Sequence, residues 1–179
     1  MARLPRLDAL SLAEYFASEA NRSRPYEYLD GQVYPLAEPS PSHERIRDNL
    51  VALLQPKVNL ERTRLEHLRK LKVGHNRVYY PDLMVLSQPS PNPQFEEFPT
   101  LLIEICTWET ERIDRGEKLL TYQSIPGLIT YLMVHSERRL VELLERGLRG
   151  NWQYTAAGNT GAIELYSPNT TLDLEEVYR

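Results

Sequence analysis

Two carboxylates stand inside segments whose other residues are apolar enough to be buried. Glu104 lies within LLIEIC, and Asp82 opens DLMVLS directly after Pro81. Taking an unpaired carboxylate out of water costs several kcal/mol, so each needs a cation, a proton or a route to water. If the two segments are neighbouring strands, the carboxylates can converge on one point. Oxygen ligands of this kind suit Mg²⁺ or Mn²⁺ better than zinc.

The chemistry that such a metal supports is phosphoester hydrolysis. A metal held by these carboxylates could polarise a phosphoryl oxygen and lower the pKa of an attacking water. The alternative is an ordinary ion pair, in which Glu104 contacts a lysine or an arginine. From Glu104 alone, the ion pair is slightly favoured.

A third candidate comes from the helix predicted after Glu104. Asp114, Lys118 and Tyr122 are spaced i, i+4, i+8 and therefore share one helical face. A lysine on that face could orient or deprotonate a water, or hold a phosphate oxygen. The same spacing is typical of a surface salt bridge worth ~0.2–0.5 kcal/mol, which the spacing alone favours.

Other residues have weaker claims to a chemical role. Glu27, in the strand-like YEYLDG, could supply a third metal ligand, whereas Asp30 is explained by its Asp-Gly turn. His43 lies near a helix start, where a histidine more often caps or faces solvent than acts in a site. Burial in an apolar strand raises a thiol pKa, so Cys106 is not expected to be a nucleophile.

The surrounding pattern predicts helices that flank a mixed sheet. A hairpin is expected around Asp30-Gly31, and the apolar spacing of SHERIRDNLVALL predicts a core-facing helix from about Ser42. DLMVLS and LLIEIC, apolar on both faces, are typical of central strands. The proline-rich connection between them is expected to be exposed. Further helices are expected over Ser11 to about Ala20 and Glu111 to Ser124, with strands after the latter.

Length and composition limit the number of domains and the class of protein. The chain has 179 residues, close to the roughly 150 of a typical domain, so residues 1–179 are expected to form a single α/β or α+β domain. Its longest uninterrupted apolar run, Leu50 to Leu54, is far short of the ~18 residues of a membrane span. The protein has no apolar secretory core near its start, and its single cysteine rules out an internal disulfide. It is therefore expected in the cytoplasm.

One basic stretch is a candidate surface for nucleic acid. Residues Arg62 to Arg77 contain six lysines and arginines against one acid, Glu66, in a chain with a net charge of −4. Such side chains beside metal-binding carboxylates would neutralise DNA phosphates. An edge strand protected from aggregation by its charges is an equally good explanation.

Taken in order, these motifs resemble the Uma-two endonuclease family of the restriction-endonuclease-like PD-(D/E)XK superfamily. The resemblance runs from about Leu10 to the closing TLDLEEVY. It rests on YEYLDG, SHERIRDNL, YPDLMVL, LLIEI and, most specifically, DRGEKLLTY at Asp114 to Tyr122. It implies a three-layer core, with a mixed β-sheet flanked by helices.

The resemblance also implies a site. Asp82 and Glu104 would be metal ligands, joined by Glu27 from the preceding element. The superfamily lysine normally stands two residues after the acid, where this chain has Cys106, and the helix-borne Lys118 looks like its substitute.

Two departures from the family pattern matter: the stretch Cys106 to Thr110 that follows the strand glutamate, and His135. Thr107 keeps a hydroxyl where the family typically has serine, and Trp108 brings a bulky ring that could narrow the site. His135 stands where that strand commonly ends in aspartate.

The resulting expectation is a Mg²⁺- or Mn²⁺-dependent DNA endonuclease, with Lys118 acting on water and Tyr122, Asp114 and Thr107 in support. A homodimer would suit cleavage of both strands. Two alternatives remain: a catalytically silent nuclease-fold module that binds DNA or a protein partner, and a buried structural ion-pair network without metal.

Overall fold

The computed structural model describes residues 10–19, 22, 24–58 and 63–179. The helices are α1 (Leu12–Glu19), α2 (Pro41–Leu54), α3 (Glu111–Ile113), α4 (Leu119–Gln123) and α5 (Leu174–Val177), and a π-helical turn (Asp114–Lys118) joins α3 to α4. The strands are β1 (Tyr26–Leu29), β2 (Gln32–Pro35), β3 (Arg64–His67), β4 (Leu71–Val73), β5 (Arg77–Tyr79), β6 (Leu83–Leu86), β7 (Pro99–Cys106), β8 (Thr130–His135), β9 (Leu140–Arg146), β10 (Trp152–Gly158), β11 (Ala162–Tyr166) and β12 (Asn169–Asp173). The helices expected from Ser11 and from Glu111 are present, although Ala20 lies outside the described residues.

A six-stranded mixed sheet forms the centre of the molecule. Its order is β10-β9-β8-β7-β6-β3, with β7 and β8 parallel and the other neighbours antiparallel. All four residues of β6 and all six of β8 are buried, as are seven of the eight in β7. The prediction that the two apolar segments are central strands covered on both faces is confirmed.

Two apolar clusters cover the faces of this sheet. On one face, α2 and α5 contribute Ile46, Leu50 and Val177 to a core that includes Ile103 of β7. On the other, Tyr122 of α4 packs with Leu102, Tyr131 and Met133. Helices on both sides of a mixed sheet give the predicted three-layer arrangement.

Helix α2 begins where its sequence predicts. The Ser40 hydroxyl accepts a hydrogen bond from the backbone N–H of His43 at 3.2 Å, and Pro41 occupies the first turn. From that cap, Ile46, Leu50 and Leu54 follow at intervals of four residues and are all buried. The helix is therefore fixed to the sheet by one apolar stripe, with its first turn near the start of β6.

Leu50→Ala should lower the free energy of unfolding by about 2–5 kcal/mol, because Leu50 is fully buried and its removal leaves a cavity in the α2 core. Urea denaturation followed by circular dichroism would measure the change. Leu148→Ala, at an exposed position, is the control and should unfold like the wild type. An equal midpoint for Leu50→Ala would contradict this packing.

A smaller antiparallel sheet has the order β2-β1-β5-β4, and its strands do not pair with those of the central sheet. The predicted hairpin is confirmed: β1 and β2 pair around Asp30 and Gly31, whose φ angles are 47° and 91°. The second pairing of β1, with β5, was not predicted. It sets Glu27 beside Tyr80, whose backbone N–H donates to Glu27 Oε1 at 3.4 Å.

The connection between β6 and β7 is only partly as expected. The connection is largely exposed as far as Gln94, but Phe95 and Glu96 are buried. Glu96 forms ion pairs with Arg64 and Arg69. The end of this connection therefore packs onto the protein. Across the described ranges, no helix combines the length and apolar character needed to cross a membrane.

Candidate functional site

Asp82 and Glu104 meet because β6 and β7 are antiparallel neighbours. Leu83 pairs with Ile103, so Asp82, one residue before the strand, lies across from Glu104. The Asp82 side chain is fixed there, since its Oδ2 accepts a hydrogen bond from the backbone N–H of Ile105 at 2.7 Å. The two apolar segments are thus neighbouring strands, which is the condition under which the sequence predicts that Asp82 and Glu104 converge.

Lys118 points into this corner from the π-helical turn. Its ammonium nitrogen lies 3.1 Å from Glu27 Oε1, 3.1 Å from Glu104 Oε2 and 3.5 Å from Asp114 Oδ1. Lys118 and Asp114 are both buried, so their pair is not the surface salt bridge that the spacing alone favours. The π-helical turn widens the helix locally, and turns of this kind occur often at functional sites.

Two tyrosines, one from helix α4 and one from strand β8, fix the cluster. The Tyr122 hydroxyl donates to Glu104 Oε1 at 2.7 Å, and the Tyr131 hydroxyl donates to the backbone carbonyl of Asp114 at 3.1 Å. Burial raises the pKa of both phenols well above the usual value, so both remain neutral donors. The two rings contact each other edge to face.

His43 belongs to the site, against the expectation of a capping or surface role. Its Nε2 lies 3.0 Å from Asp82 Oδ1, and both side chains are 13% exposed. Its Nδ1 is buried without a hydrogen-bond partner among the described residues. A sequence signal did exist, since His43, Ile46 and Leu50 are spaced i, i+3, i+7 and so share the core-facing stripe of α2.

The cluster holds more negative than positive charge. Three carboxylates contact the single ammonium of Lys118: Glu27, Glu104 and Asp114. A fourth, Asp82, lies across from Glu104 and adds its charge to the cluster. Burial raises the pKa of Glu104 well above its usual range, and the nearby acids add to this against the opposing effect of Lys118. Burial alone would lower the pKa of Lys118, but the attraction of Glu104, Glu27 and Asp114 outweighs it and raises that pKa.

This charge imbalance fits a divalent cation. The available donors near Asp82 and Glu104 are mostly carboxylate oxygens, the ligand type of Mg²⁺ and Mn²⁺, and the surplus negative charge would be neutralised by such an ion. In the structure, the Lys118 ammonium takes that neutralising position between Glu27 and Glu104.

Thr107 and Cys106 contribute differently from the acids. The Thr107 hydroxyl accepts from the backbone N–H groups of Glu109 and Thr110, each at 3.3 Å, so it shapes the turn after β7. No hydrogen bond joins it to the site carboxylates within the described part of the chain. Burial raises the pKa of the Cys106 thiol, in agreement with the expectation that it is not a nucleophile.

The basic stretch from Arg62 to Arg77 is neutralised where it is described. Arg62 falls outside the described residues, and each of the other five cations contacts a carboxylate: Arg64 pairs with Glu66 and Glu96, Arg69 with Glu96, Lys70 with Glu19, Lys72 with Glu97, and Arg77 with Asp30 and Glu117. β3 and β4 are both edge strands. This arrangement favours the edge-strand explanation of these charges.

A second acidic group lies where β8 ends and β9 begins, next to the start of α3. Ligand atoms of Glu111, His135 and Glu142 fall within 4.8 Å of one another, a grouping that could hold a metal ion. Arginines already neutralise it: Arg115 contacts both glutamates, and Arg138 donates to Glu111 at 2.8 Å. Glu142 also contacts His135 Nε2 at 2.6 Å. The group is therefore better balanced in charge than the cluster around Lys118.

Comparisons with known proteins place the chain among similar sequences and folds. It matches the Uma2 family profile, described as "Putative restriction endonuclease", over residues 12–176. Two proteins of Synechocystis sp. (strain ATCC 27184 / PCC 6803 / Kazusa) are similar along nearly their whole length. Uncharacterized protein slr1290 is 28% identical over 174 residues, 95% of this chain and 92% of that protein. Uncharacterized protein sll1609 is 26% identical over 166 residues, 87% of this chain and 92% of that protein.

The fold is similar to a solved structure, the crystal structure of "a putative nuclease belonging to DUF820" from Anabaena variabilis ATCC 29413. The TM-score is 0.75 at 15% sequence identity, over 94% of this chain and 97% of that chain. This similarity confirms the predicted fold class.

Proposed function

Since the chain belongs to the Uma2 family, as its ordered motifs predict, we propose that it is a metal-dependent endonuclease that hydrolyses phosphodiester bonds in DNA. The observation that carries the proposal is the carboxylate cluster in which Glu27, Glu104 and Asp114 contact Lys118, with Asp82 beside Glu104 where β6 begins and β7 ends. The Anabaena protein that shares this fold is described as a putative nuclease, which agrees with the proposal.

Asp82, Glu104 and Glu27 are the proposed ligands of Mg²⁺ or Mn²⁺. Their oxygens fit these ions in type, and their surplus negative charge gives the ion an electrostatic reason to bind. When bound, the ion would supply Lewis-acid activation of the phosphoryl group and of a water molecule.

The remaining side chains would hold this constellation in place. Tyr122 keeps Glu104 oriented, and His43 does the same for Asp82. Asp114 helps Lys118 to retain its proton, since the acids raise its pKa. A lysine that stays charged is a poor proton acceptor, so Lys118 would orient the attacking water or hold a phosphate oxygen as a hydrogen-bond donor rather than act as the base.

DNA is the proposed partner, and the Arg62–Arg77 stretch can bind it only by exchanging carboxylates for phosphates. Each phosphate bound there would displace a Glu or Asp partner, so the net electrostatic stabilisation would be smaller than six cations imply. We further propose a homodimer, because cutting both strands at one place needs two sites. A DNA substrate and a free, buried Cys106 agree with a cytoplasmic enzyme.

Plasmid cleavage in Mg²⁺ and in Mn²⁺, with calorimetric metal titration, tests the proposal directly. Asp82→Asn should lose both cleavage and metal binding, because it removes a charged ligand while keeping an acceptor for the Ile105 N–H. Asp48→Asn, whose acid pairs with Arg47 at the surface, is the matched control and should behave like the wild type.

The outcomes separate the alternatives. Metal binding and salt-dependent DNA affinity without turnover would favour the silent binding module. No metal binding at millimolar concentration would overturn the catalytic proposal and leave a structural ion-pair network. The form of the product reports on assembly, since nicked circles are expected from one site and linear plasmid from a homodimer.

A further inference from the structure

Trp108 is an exposed aromatic residue beside the proposed site. It is 61% exposed and lies in the loop between β7, which carries Glu104, and the helical segment that carries Lys118. It is the fourth residue after Glu104, so their Cα atoms are at most about 14 Å apart. A large aromatic ring with this exposure is open to contact with a bound molecule.

Both the backbone and the ring of Trp108 have partners in the turn between β8 and β9. The Trp108 backbone N–H donates to Glu137 Oε2 at 2.7 Å, and the Arg138 guanidinium lies 4.5 Å from the ring centroid. Arg138 is itself anchored, because it donates to Glu111 Oε1 at 2.8 Å. The loop after β7 is thus fastened to the turn between β8 and β9, with a guanidinium over the indole.

The charges around this ring favour stacking over phosphate binding as its role. Three acids and three cations lie in this loop, in the adjoining helix α3 and in the turn between β8 and β9, so the surface is close to neutral: Glu109, Glu111, Glu137, Arg112, Arg138 and Arg139. A near-neutral surface gains little from counterion release. An indole stacked on a guanidinium instead offers the flat, polarisable face on which nucleobases stack.

Resting on the proposed nuclease function, we propose that Trp108, supported by Arg138, is a stacking platform for an unpaired nucleobase near the scissile phosphate. A base inside a duplex has both faces covered by its neighbours, so only a flipped-out or single-stranded base can use the platform. The substrate class is therefore DNA with unpaired bases at the site. Trp108 is a binding residue in this proposal and takes no part in the chemical step.

Binding of a fluorescein-labelled single-stranded oligonucleotide, measured by anisotropy in EDTA, tests the platform without cleavage. Trp108→Ala should weaken binding about 5- to 150-fold, and Trp108→Phe should retain most of it. The ratio of wild-type to Trp108→Ala affinity should be the same at low and high salt, since stacking releases no counterions. Tyr166→Ala, which removes an exposed aromatic from β11, is the control.

A second measurement does not depend on a truncation variant. The chain has two tryptophans, so Trp152→Phe leaves Trp108 as the single indole emitter. Saturation with an unlabelled single strand should quench that emission, and a perfectly matched duplex should quench it much less.

Equal affinities of wild type and Trp108→Ala, or unchanged emission at saturation, would overturn the platform. An equal loss for single strand and duplex would overturn the preference for unpaired bases. These failures are distinct from failure of the proposed function, which would appear as wild-type protein that neither binds metal nor cleaves DNA. Trp108→Ala should also leave the metal affinity of Asp82 and Glu104 unchanged.

Discussion

Glu104→Gln should reduce DNA cleavage by at least about a thousandfold, because it removes the charged oxygen at the centre of the proposed metal site. The change is nearly isosteric, and the Tyr122 hydroxyl can still donate to the amide oxygen. Metal affinity should fall together with the rate. The fold should survive, since Lys118 keeps Glu27 at 3.1 Å and Asp114 at 3.5 Å.

The stability of this variant distinguishes a metal site from a purely structural network. A lone Lys118–Glu104 pair would lose several kcal/mol on breakage, because the lysine would be left buried and unpaired. In the observed cluster, removing one of four acids also relieves repulsion. Glu104→Gln is therefore expected to unfold at the same urea concentration as the wild type, or at a higher one, when EDTA is present.

The pH dependence of stability gives an independent check of the same residue. The pKa of Glu104 is raised above the ordinary value of 4.5, so the folded protein holds this proton more tightly than the unfolded chain. The stabilisation is fully present below that ordinary value and is lost as pH rises through the raised pKa. Between pH 4 and neutral pH, the unfolding free energy of the wild type should therefore fall relative to that of Glu104→Gln.

Three measurements on the same protein preparations would decide the outcome. They are plasmid cleavage, calorimetric titration with Mg²⁺, and urea unfolding in EDTA at several pH values. Glu164→Gln, an exposed acid in β11, is the control for loss of a glutamate charge. Undiminished cleavage by Glu104→Gln would contradict its role as a ligand, and severe destabilisation would favour the structural network.

The local sequence predicts the parts of the site that depend on one strand or one helix. Glu104 was identifiable because its neighbours are apolar on both faces of the strand, and that pattern reflects burial in β7. Asp114, Lys118 and Tyr122 were identifiable because helical spacing alone puts them on one face. Both arguments use only periodicity, which the sequence carries completely.

Contacts between elements distant in the chain could not be predicted from local sequence patterns. Glu27 reaches Lys118 because β1 pairs with β5, a choice of partner that no residue in YEYLDG encodes by itself. Its strand-like run made it only a possible third ligand, and the family resemblance implied its place in the site. His43 was undervalued for the same reason, because its role depends on where the first turn of α2 lies relative to Asp82.

The basic stretch shows a second limit. Composition counts charges, whereas a surface potential depends on what those charges face. Arg64 and Arg69 share Glu96, which comes from a proline-rich connection expected to be exposed and is buried instead. A run of cations is therefore weak grounds for a nucleic-acid surface until the partners of each cation are known.

Lys118→Met should lower the free energy of unfolding in EDTA by about 3–5 kcal/mol, because Glu27, Glu104 and Asp114 lose the buried cation that all three contact. Cleavage should be lost as well. A structural ion-pair network predicts the same destabilisation, so the decisive readout is the response to Mg²⁺.

If these acids form a metal site, Mg²⁺ competes with the Lys118 ammonium for Glu27 and Glu104 in the wild type and meets no such competitor in Lys118→Met. The rise in melting temperature on adding Mg²⁺ should then be larger in the variant, with a stabilisation of about 2.7 kcal/mol at an ion concentration one hundred times the dissociation constant. Lys57→Met, at an exposed turn after α2, controls for loss of a lysine charge and should match the wild type. An equal or smaller Mg²⁺ response in Lys118→Met would mean that the lysine neutralises a structural cluster, because only a site able to bind the ion becomes a tighter site when its competing cation is removed.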